Sequence, residues 1–307
     1  MKVLVTGGAG FIASHIVDAL IERGDDVAVI DDLSEGRREY VNPKARFYQM
    51  SICSPDIDGV FEKEKPEILD HHAAHILLRR SVEQPMHDAN INILGSINIL
   101  ANSVRHGVKK LIYASSGGAI YGEPEYLPVD ESHRINPVSQ YGVSKYCAEH
   151  YIDLYARQSG LKYAILRYAN VYGPRQNPFG EAGVVAIFAR QMMRGERPSI
   201  FGPGNKTRDY IHVSDIVAVN LLAMERGENV TCNIGTGVET SDQQIFDAVA
   251  DAVGYKQKPN YTSVRPGEIQ RICLDCKLAK GVFGWGTKVE LKKGIAGTIK
   301  YFKKEGI

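Results

Sequence analysis

Tyr141 and Lys145 lie four residues apart within residues 139–145, Ser-Gln-Tyr-Gly-Val-Ser-Lys. On a helix this spacing places both side chains on one face, so the lysine ammonium can lie beside the tyrosine phenol. A free tyrosine has a pKa of about 10, and lowering it to about 7 requires roughly 4 kcal/mol. One lysine seldom supplies all of that, but a lysine and a second cation together can. The spacing also occurs on ordinary solvated helix faces, so the pair needs support from elsewhere in the chain.

A glycine-rich turn near the amino terminus supplies that support. The apolar run at residues 1–5 predicts a buried strand, and apolar residues at helical spacing follow until Gly24. A second apolar run, residues 27–30, ends at Asp31 and Asp32. Strand, glycine turn, helix, strand and acid form the first half of a dinucleotide-binding fold.

The turn and the acid predict which dinucleotide binds. Gly7 and Gly10 allow the backbone to turn and approach a pyrophosphate at the helix N-terminus. Asp31 stands where a carboxylate accepts hydrogen bonds from the adenosine ribose and would repel a 2′-phosphate. NAD is therefore favoured over NADP, although Arg37 and Arg38 follow soon after and leave NADP open.

Composition excludes several classes of protein. The 307 residues can bury a large core, as one large domain or two intimate ones, and 37 basic residues balance 36 acidic ones. This balance gives no electrostatic case for binding nucleic acid or an anionic membrane. No apolar run reaches the length of a membrane span, and the amino terminus lacks a signal-peptide pattern, so we expect a cytoplasmic protein. Five cysteines without framework spacing indicate packing thiols.

The order of the elements predicts an α/β fold. Helical stretches separate further strand-like runs, which is typical of a doubly wound parallel sheet of the Rossmann type. Glycine–proline punctuation such as Pro266-Gly267 becomes frequent after residue 170 and indicates a smaller, loop-rich C-terminal α/β domain. The further strand-like runs are residues 45–50, 67–69, 110–114 and 164–168.

Three histidines invite a metal-site interpretation. His71, His72 and His75 lie at the end of a predicted strand, where successive side chains point to opposite faces. No Glu or Cys nearby completes a ligand set, so we predict no metal and expect these histidines to line the cofactor cleft. Asp70 is unusual for a buried strand and has no explanation from sequence alone.

Two arginines are candidate phosphate ligands. Arg208 precedes a short β-branched segment, and Arg265 precedes Pro266-Gly267. An arginine can bind a phosphate through two parallel hydrogen bonds. The alternative for each is a surface ion pair. Together they suggest that the substrate carries a second pyrophosphate.

These segments together resemble the extended short-chain dehydrogenases/reductases that act on nucleotide sugars, and most closely the UDP-glucose (UDP-galactose) 4-epimerases. The similarity runs from Thr6 to Trp285, essentially the full length. The segments that carry it are residues 6–12, 73–74, 79–83, 92, 115–116, 121–122, 141–145, 167–175 and 233–237.

The resemblance implies residue roles and a domain division. Tyr141 would be the base, and Lys145 would bind the nicotinamide ribose and lower the tyrosine pKa. Residues 1–170, with a returning segment near 211–235, would bind NAD, and most of 171–307 would form the nucleotide-sugar domain. The other implied NAD-binding residues are Gly7, Gly10, Phe11, Ile12, Asp31, Asp32, Ser34, Gly36, Ser51, Ile52, Ala73, Ala74, Asn92, Ser115 and Tyr168. Asn170, Arg208 and Arg265 would hold the UDP diphosphate, with Ser199 and Phe201 around the uracil.

The implied reaction is a redox-neutral interconversion of UDP-glucose and UDP-galactose. Hydride leaves sugar C4 for NAD, the 4-keto sugar turns over in the pocket, and hydride returns to its opposite face. Most of the binding energy must then come from contacts with UDP, because a tightly held hexose could not rotate. Relatives often pair as homodimers through helices, and the helix after Tyr141 would contribute.

The chain departs from the family pattern at Gly117 and at Ile76, and the region of Ile272 bears on the choice of substrate. Gly117 stands where many relatives carry a catalytic Ser or Thr, and Ser116 is expected to replace it, directly or through a water. In that case Gly117→Ser should change the rate little. Ile76 replaces a polar or basic residue of some relatives. Ile272, near the sugar C2 substituent, leaves N-acetylated and uronic hexoses open.

Two alternatives remain. A 4,6-dehydratase or a UDP-glucuronate decarboxylase needs an acid just before Tyr121, and Gly117-Gly-Ala-Ile120 offers none. A non-catalytic NAD-binding protein is disfavoured because Tyr141, Lys145 and the arginines are all present.

Overall fold

The computed structural model describes residues 1–180, 183–265 and 268–307. The predicted loop at Pro266-Gly267 lies outside these ranges. Among the helices described, none has the length and apolar character needed to cross a membrane.

A seven-stranded parallel sheet forms the centre of the molecule, with the strand order β10-β6-β5-β4-β1-β2-β3. The order reverses between β1 and β4, and in such sheets ligands bind at the carboxyl ends of the strands beside this point. The predicted doubly wound parallel sheet is confirmed, although β4 is shifted towards the carboxyl end of the predicted run. The strands of this sheet are β1 (Lys2–Thr6), β2 (Asp26–Asp31), β3 (Arg46–Gln49), β4 (Ile68–His71), β5 (Lys110–Ser116), β6 (Lys162–Tyr168) and β10 (Val230–Ile234).

Both faces of the sheet are buried, which explains the continuous apolar runs in the sequence. Val3 and Val5 of β1 face one core, and Leu4 between them faces the other. The first core is closed by α1 (Phe11–Arg23), α9 (Val213–Glu225) and α11 (Lys277–Phe283). The second is closed by α2 (Ile57–Glu64), α5 (Ser96–Arg105) and α7 (Gln140–Ser159).

Short helices connect β4 with α5 and β5 with α7. Residues Asn90–Gly95 form a π-helical segment that continues directly into α5. These connections bring the ends of β4 and β5 beneath α7. The short helices are α3 (Leu78–Glu83), α4 (Pro85–Ala89) and α6 (Gly117–Ile120), and a 3₁₀ turn at Arg38–Tyr40 follows β2.

The remaining elements build a second group around its own core. β9 (Thr207–His212) pairs in parallel with β7 (Asn170–Tyr172) and antiparallel with β11 (Glu239–Ser241). β8 (Ser199–Phe201) pairs in parallel with β12 (Asn260–Thr262). Tyr172, Phe188, Phe246 and Phe302 are among the residues of this core. Its helices are α8 (Val184–Met193), α10 (Asp242–Val253) and α12 (Leu291–Glu305).

Candidate active site

The turn between β1 and α1 admits a ligand close to the backbone. Gly7 has φ +73°, and a Cβ placed there would lie 2.7 Å from the Ala73 nitrogen. The Gly10 amide donates to the Gly7 carbonyl at 2.9 Å, and Gly10 precedes α1 without a side chain that could cap it. The first amides of α1 are therefore open to an anion, which fits a pyrophosphate.

Asp31 is fixed at the end of β2, beside this turn. The Ala9 amide donates to Oδ2 at 3.0 Å and the Leu33 amide donates to Oδ1 at 2.8 Å. Burial raises the pKa of this carboxyl, and the two amides counteract that effect. The two amides thus hold the carboxylate in place, and its binding of the adenosine ribose stays a prediction.

The other residues predicted for the adenosine half lie close to Asp31 in the fold. Asp32 accepts from both the amide and the hydroxyl of Ser34. A Cβ at Gly36 would lie 2.8 Å from Asp31 Oδ1, so the loop after β2 packs against this carboxylate. Phe11 and Ile12 open α1, and Ser51 and Ile52 follow β3.

His71 does not line the cleft, so the prediction was wrong for this residue. Its side chain is buried and bridges Thr6 Oγ1 at 2.6 Å and Ser96 Oγ at 3.0 Å. Burial lowers the pKa of His71 well below its usual value, so the ring is neutral. Thr6 Oγ1 also accepts from the Ala73 amide at 3.1 Å. His71 therefore fixes the distance between the glycine turn and the end of β4.

His72 explains the buried acid at position 70. His72 Nε2 lies 3.0 Å from Asp70 Oδ1, and the His72 ring stacks on Tyr168 with centroids 6.1 Å apart. The Tyr168 hydroxyl in turn donates to Asn220 Oδ1 at 3.0 Å. Within the described ranges, no group of three or more His, Cys, Asp or Glu residues is placed to hold a metal ion.

Asn92 joins the π-helical segment to α7. Its Oδ1 accepts from the His75 amide at 2.8 Å, and its Nδ2 donates to Asp88 Oδ1 and Ser144 Oγ, both at 3.1 Å. Asp88 also lies 3.3 Å from His75 Nδ1. These contacts bury a negative charge directly behind the turn of α7 that carries Tyr141.

Tyr141 is in the first turn of α7, which Ser139 caps by accepting from the Gly142 amide. Burial raises the pKa of Tyr141 to about 12, the Ser116 side chain lowers it, and the Asp88 charge raises it. Lys145 is not among these causes, so its effect on the tyrosine pKa stays a prediction. Ionising Tyr141 requires a further cation, and a bound nicotinamide ring is one.

Lys145 lies one helical turn further along and is 3% exposed. Burial lowers its pKa to about 7, while the charges of Glu149 and Asp88 raise it. The ammonium is therefore supported by negative charge on two sides, from its own helix and from α4.

Glu149 belongs to a buried ion pair beneath α7. Arg167 Nη2 donates to Glu149 Oε2 at 2.6 Å, and Arg167 Nη1 donates to the Tyr121 hydroxyl at 2.9 Å. The Ser115 hydroxyl donates to Glu149 Oε1 at 2.5 Å. Ser115, which the resemblance assigned to NAD, thus directs its hydroxyl into this network.

Gly117 is packed against a residue of the first core beside the parallel sheet. A Cβ at Gly117 would lie 2.7 Å from Leu274 Cδ1, and Leu274 is fully buried. The Leu274 amide donates to Asp209 Oδ2 at 3.2 Å, which fixes its position. Ile272 is buried nearby in the chain, at 2% exposure, whereas Ile76 is half exposed.

Two predicted substrate residues stack on each other. The Arg265 guanidinium lies 3.2 Å from the centroid of the Phe201 ring. Ser199 stands two residues before Phe201 in β8, and its hydroxyl accepts from Asn260 Nδ2 at 3.4 Å. β8 therefore brings the predicted uracil residues together with one of the two phosphate arginines.

Arg208 and Asn170 lie on the paired strands β9 and β7. Arg208 donates to the carbonyls of Thr207 and Ile269, each at 2.7 Å, so its guanidinium is held against the 269–274 segment. A Cβ at Gly118 would lie 3.4 Å from Asn170 Oδ1, which places Asn170 beside the turn that follows Ser116.

Three residues of the site were not singled out from sequence. Glu149 follows Lys145 by one helical turn, the same spacing that identified Tyr141, so this acid was detectable. Asp88 and Tyr113 carry no local signal, because their positions near Lys145 depend on how α4 and β5 pack under α7.

Known proteins share this arrangement over the whole chain. Residues 3–235 match the model of the NAD dependent epimerase/dehydratase family. A UDP-glucose 4-epimerase of Mycolicibacterium smegmatis is 40% identical, over 99% of each chain. The chain belongs to the NAD-dependent epimerase/dehydratase family.

Solved structures of this family agree closely with the fold. The UDP-glucose 4-epimerase of Thermotoga maritima, solved with UDP-glucose, has a TM-score of 0.98 at 48% identity and covers all of both chains. The UDP-glucose 4-epimerase of Thermus thermophilus, solved with NAD, has a TM-score of 0.94 at 40% identity over 99% of each chain. The protein is an NAD-dependent enzyme of the isomerase class.

Proposed function

We propose that this enzyme interconverts UDP-glucose and UDP-galactose by 4-epimerisation. The observation that carries the proposal is the grouping of Tyr141, Ser116 and Lys145 at the carboxyl end of β5, where the Ser116 side chain lowers the pKa of Tyr141 and Lys145 lies one helical turn away. The group gathers a base, a hydroxyl donor and a cation beside the predicted NAD site, which suits reversible oxidation of a secondary alcohol.

Each residue has a defined part in the proposed reaction. Bound NAD supplies the hydride acceptor for sugar C4 and a positive charge beside Tyr141. Tyr141 takes the proton of the 4-hydroxyl and later returns it, while Ser116 donates a hydrogen bond that favours the phenolate. Because burial raises the pKa of Tyr141 to about 12, Lys145 must remain charged for the phenolate to form near neutral pH.

The substrate-binding residues account for an epimerase in which the sugar turns over. Arg208 and Arg265 carry charge suited to a diphosphate, and Phe201 offers an aromatic face to a base. Holding the nucleotide and leaving the hexose loosely bound allows the 4-keto sugar to present its other face. We assign Asn170 and Ser199 to the same nucleotide-binding region.

Elimination chemistry is the less favoured alternative. A dehydratase must expel the 6-hydroxyl as water and needs an acid near the sugar C5–C6 bond. Residues Gly117–Ile120 form α6, directly after Ser116, and contain no acid. The decarboxylase alternative is disfavoured for the same reason.

The sugar substituents are the open part of the proposal. Ile272 is buried, and an isoleucine there gives less room than a small residue would at a sugar C2 substituent. We therefore propose plain hexoses as the preferred substrates, ahead of N-acetylated or uronic ones.

The test is a substrate panel with chromatography of the products. Purified protein is incubated with UDP-galactose, UDP-N-acetylglucosamine and UDP-glucuronate, with Tyr141→Phe as the inactive control. UDP-galactose should give UDP-glucose fastest, and the Phe variant should retain NAD without turnover. Release of water or carbon dioxide, or no turnover of any UDP-hexose, would contradict the proposal.

We further propose a homodimer that pairs through α7 and the segment before α5. Met86, Leu94 and Val143 are 83%, 57% and 51% exposed. They lie on three elements that contact one another, and such exposed apolar side chains favour an interface. Val143→Glu should convert dimer to monomer in light scattering after size exclusion. A wild-type monomer would contradict this assignment.

Two coarser assignments complete the proposal. Residues 1–170 and the segment near 211–235 are proposed as the NAD-binding domain, with most of 171–307 as the substrate domain. The five cysteines are unpaired, which is consistent with a reducing compartment and with the cytoplasm.

A further inference from the structure

Lys145 rests on the face of an aromatic ring. Its Nζ lies 4.5 Å from the centroid of the Tyr113 ring, and Tyr113 is the fourth residue of β5. The two residues are 3% and 1% exposed, so the contact is almost free of solvent. A cation within about 6 Å of a ring centroid is attracted by the negative face of the π-system, most strongly when desolvated.

The carboxylates near Lys145 are committed to other partners. Glu149 is bound by Arg167 and by the Ser115 hydroxyl. Asp88 is bound by Asn92 and lies against His75. Within residues 1–180, 183–265 and 268–307, Lys145 forms no ion pair closer than 4.0 Å, so the two acids act on the ammonium only from a distance.

An aromatic face supports a cation in a way that a carboxylate cannot. A salt bridge would use N–H donors of the ammonium and cancel its charge. The Tyr113 ring stabilises the positive charge through its quadrupole and leaves the three N–H donors available. A lysine that must bind ribose hydroxyls and also favour a phenolate needs both its donors and its charge.

The charged and titratable groups around Lys145 come from four elements. Tyr141 and Glu149 lie on its own helix α7, Asp88 on α4, Tyr113 on β5 and His71 on β4. His71 pairs in register with Tyr113 and is neutral because burial lowers its pKa. His71 therefore adds no competing charge under the lysine.

We propose that Tyr113 is a positioning residue whose ring face keeps the Lys145 ammonium charged and directed at the cofactor cleft with its hydrogen-bond donors free. The proposal rests on the proposed function for its kinetic test, but the ionisation of Tyr141 tests it without any sugar substrate.

Two substitutions separate the ring from the rest of the side chain. Tyr113→Leu removes the aromatic face, and Tyr113→Phe keeps it. In the leucine variant the ammonium loses its proton at lower pH. The alkaline limb of the plot of kcat against pH should therefore move to lower pH by about one unit. At pH values above this limb, kcat should fall about tenfold. KM for UDP-galactose should stay unchanged, and Tyr113→Phe should restore the wild-type limb.

The second readout is the near-ultraviolet absorbance of the Tyr141 phenolate in NAD-loaded protein. It is taken as the difference between each variant and the same variant carrying Tyr141→Phe. Tyr113→Leu should shift the appearance of the phenolate to higher pH. If UDP-galactose is not turned over at all, the proposed function fails, and this titration still decides the role of Tyr113.

Phe61→Leu is the matched control for a cavity, because Phe61 is fully buried in the same core without contacting Lys145. If Tyr113→Leu does not fold, a polyfluorinated phenylalanine at position 113 keeps the shape and weakens the ring face. Tyr113→Leu and the fluorinated residue should each shift both the kcat profile and the phenolate titration along the pH axis. Phe61→Leu should shift neither. Profiles of the Tyr113 variants that coincide with those of Phe61→Leu would overturn the proposal.

Discussion

At the residue scale, the site depends on the ionisation of one phenol. Tyr141 has its pKa raised to about 12 by burial, and the Ser116 side chain lowers it. We therefore propose that Ser116 takes the part that many relatives give to a residue at position 117. Sequence alone identified Ser116 as a substitute but left open whether a water was needed.

Ser116→Ala should reduce turnover through the ionisation of Tyr141. Without the hydroxyl the phenolate is less stable, so the pKa of Tyr141 rises and the acidic limb of the kcat profile moves to higher pH. One pKa unit corresponds to about a tenfold loss of kcat below the limb. An unchanged acidic limb would show that Ser116 does not act on Tyr141.

Asp88→Asn should move both limbs of the profile in the same direction. The Asp88 charge raises the pKa of Tyr141 and also that of Lys145. Removing it lowers both pKa values, so the acidic and alkaline limbs should each shift to lower pH. Kinetics over about five pH units, from about pH 5 to about pH 10, checks this. Limbs that move apart would contradict the assigned electrostatics.

At the element scale, the local patterns were predictable and the contacts between distant segments were not. β1, α1 and β2 follow from apolar runs and glycine positions within 31 residues. The role of His71 depends on Thr6 and Ser96, and the space at Gly117 depends on Leu274. Neither pairing has a signal in one sequence, because the fold alone brings these segments together.

Gly117→Ser should destabilise the protein, an effect that the expectation from sequence, which concerned only the rate, did not include. The new Cβ would lie 2.7 Å from the fully buried Leu274 side chain, and overpacking of this kind costs about 1–3 kcal/mol. The free energy of unfolding in urea measures the effect.

Gly118→Ser is the matched control for this prediction. A Cβ at Gly118 has no closer contact than 3.4 Å, so the neighbouring substitution should be tolerated better. Equal stability of the two variants would show that the Leu274 side chain moves aside at little cost. In that case the rate of Gly117→Ser would again test whether the native site already has a hydroxyl donor.

Gly7→Ala should abolish NAD binding while leaving most of the fold intact. The residue has φ +73°, and its Cβ would lie 2.7 Å from the Ala73 nitrogen, so the turn must open. Gly24→Ala is the control, because Gly24 has φ +90° but nothing within 4 Å of an added Cβ. The Gly24→Ala variant should be less stable than the wild type, but the purified protein should retain its NAD. Full NAD content in Gly7→Ala would contradict the assigned pyrophosphate site.

At the scale of the whole molecule, two groups of elements meet at the turn after β5. One contributes the parallel sheet with Tyr141, Lys145 and Ser116, and the other contributes β7 and the arginine-bearing β9. Leu274 packs in the core beside the parallel sheet, and its amide donates to Asp209 of β9. The sequence predicted both groups, because the apolar runs of the Rossmann fold and the glycine- and proline-containing loops are local features. Their packing at Gly117 required the structure.

The central claim is that hydride leaves sugar C4 and returns to the same carbon without exchange with water. The direct measurement uses UDP-galactose that carries deuterium at C4, with mass spectrometry of the UDP-glucose product. We predict full retention of deuterium in the product and none in the solvent. Deuterium released into water would contradict the account, because it would mean that C4 is epimerised by proton exchange and not by transient oxidation.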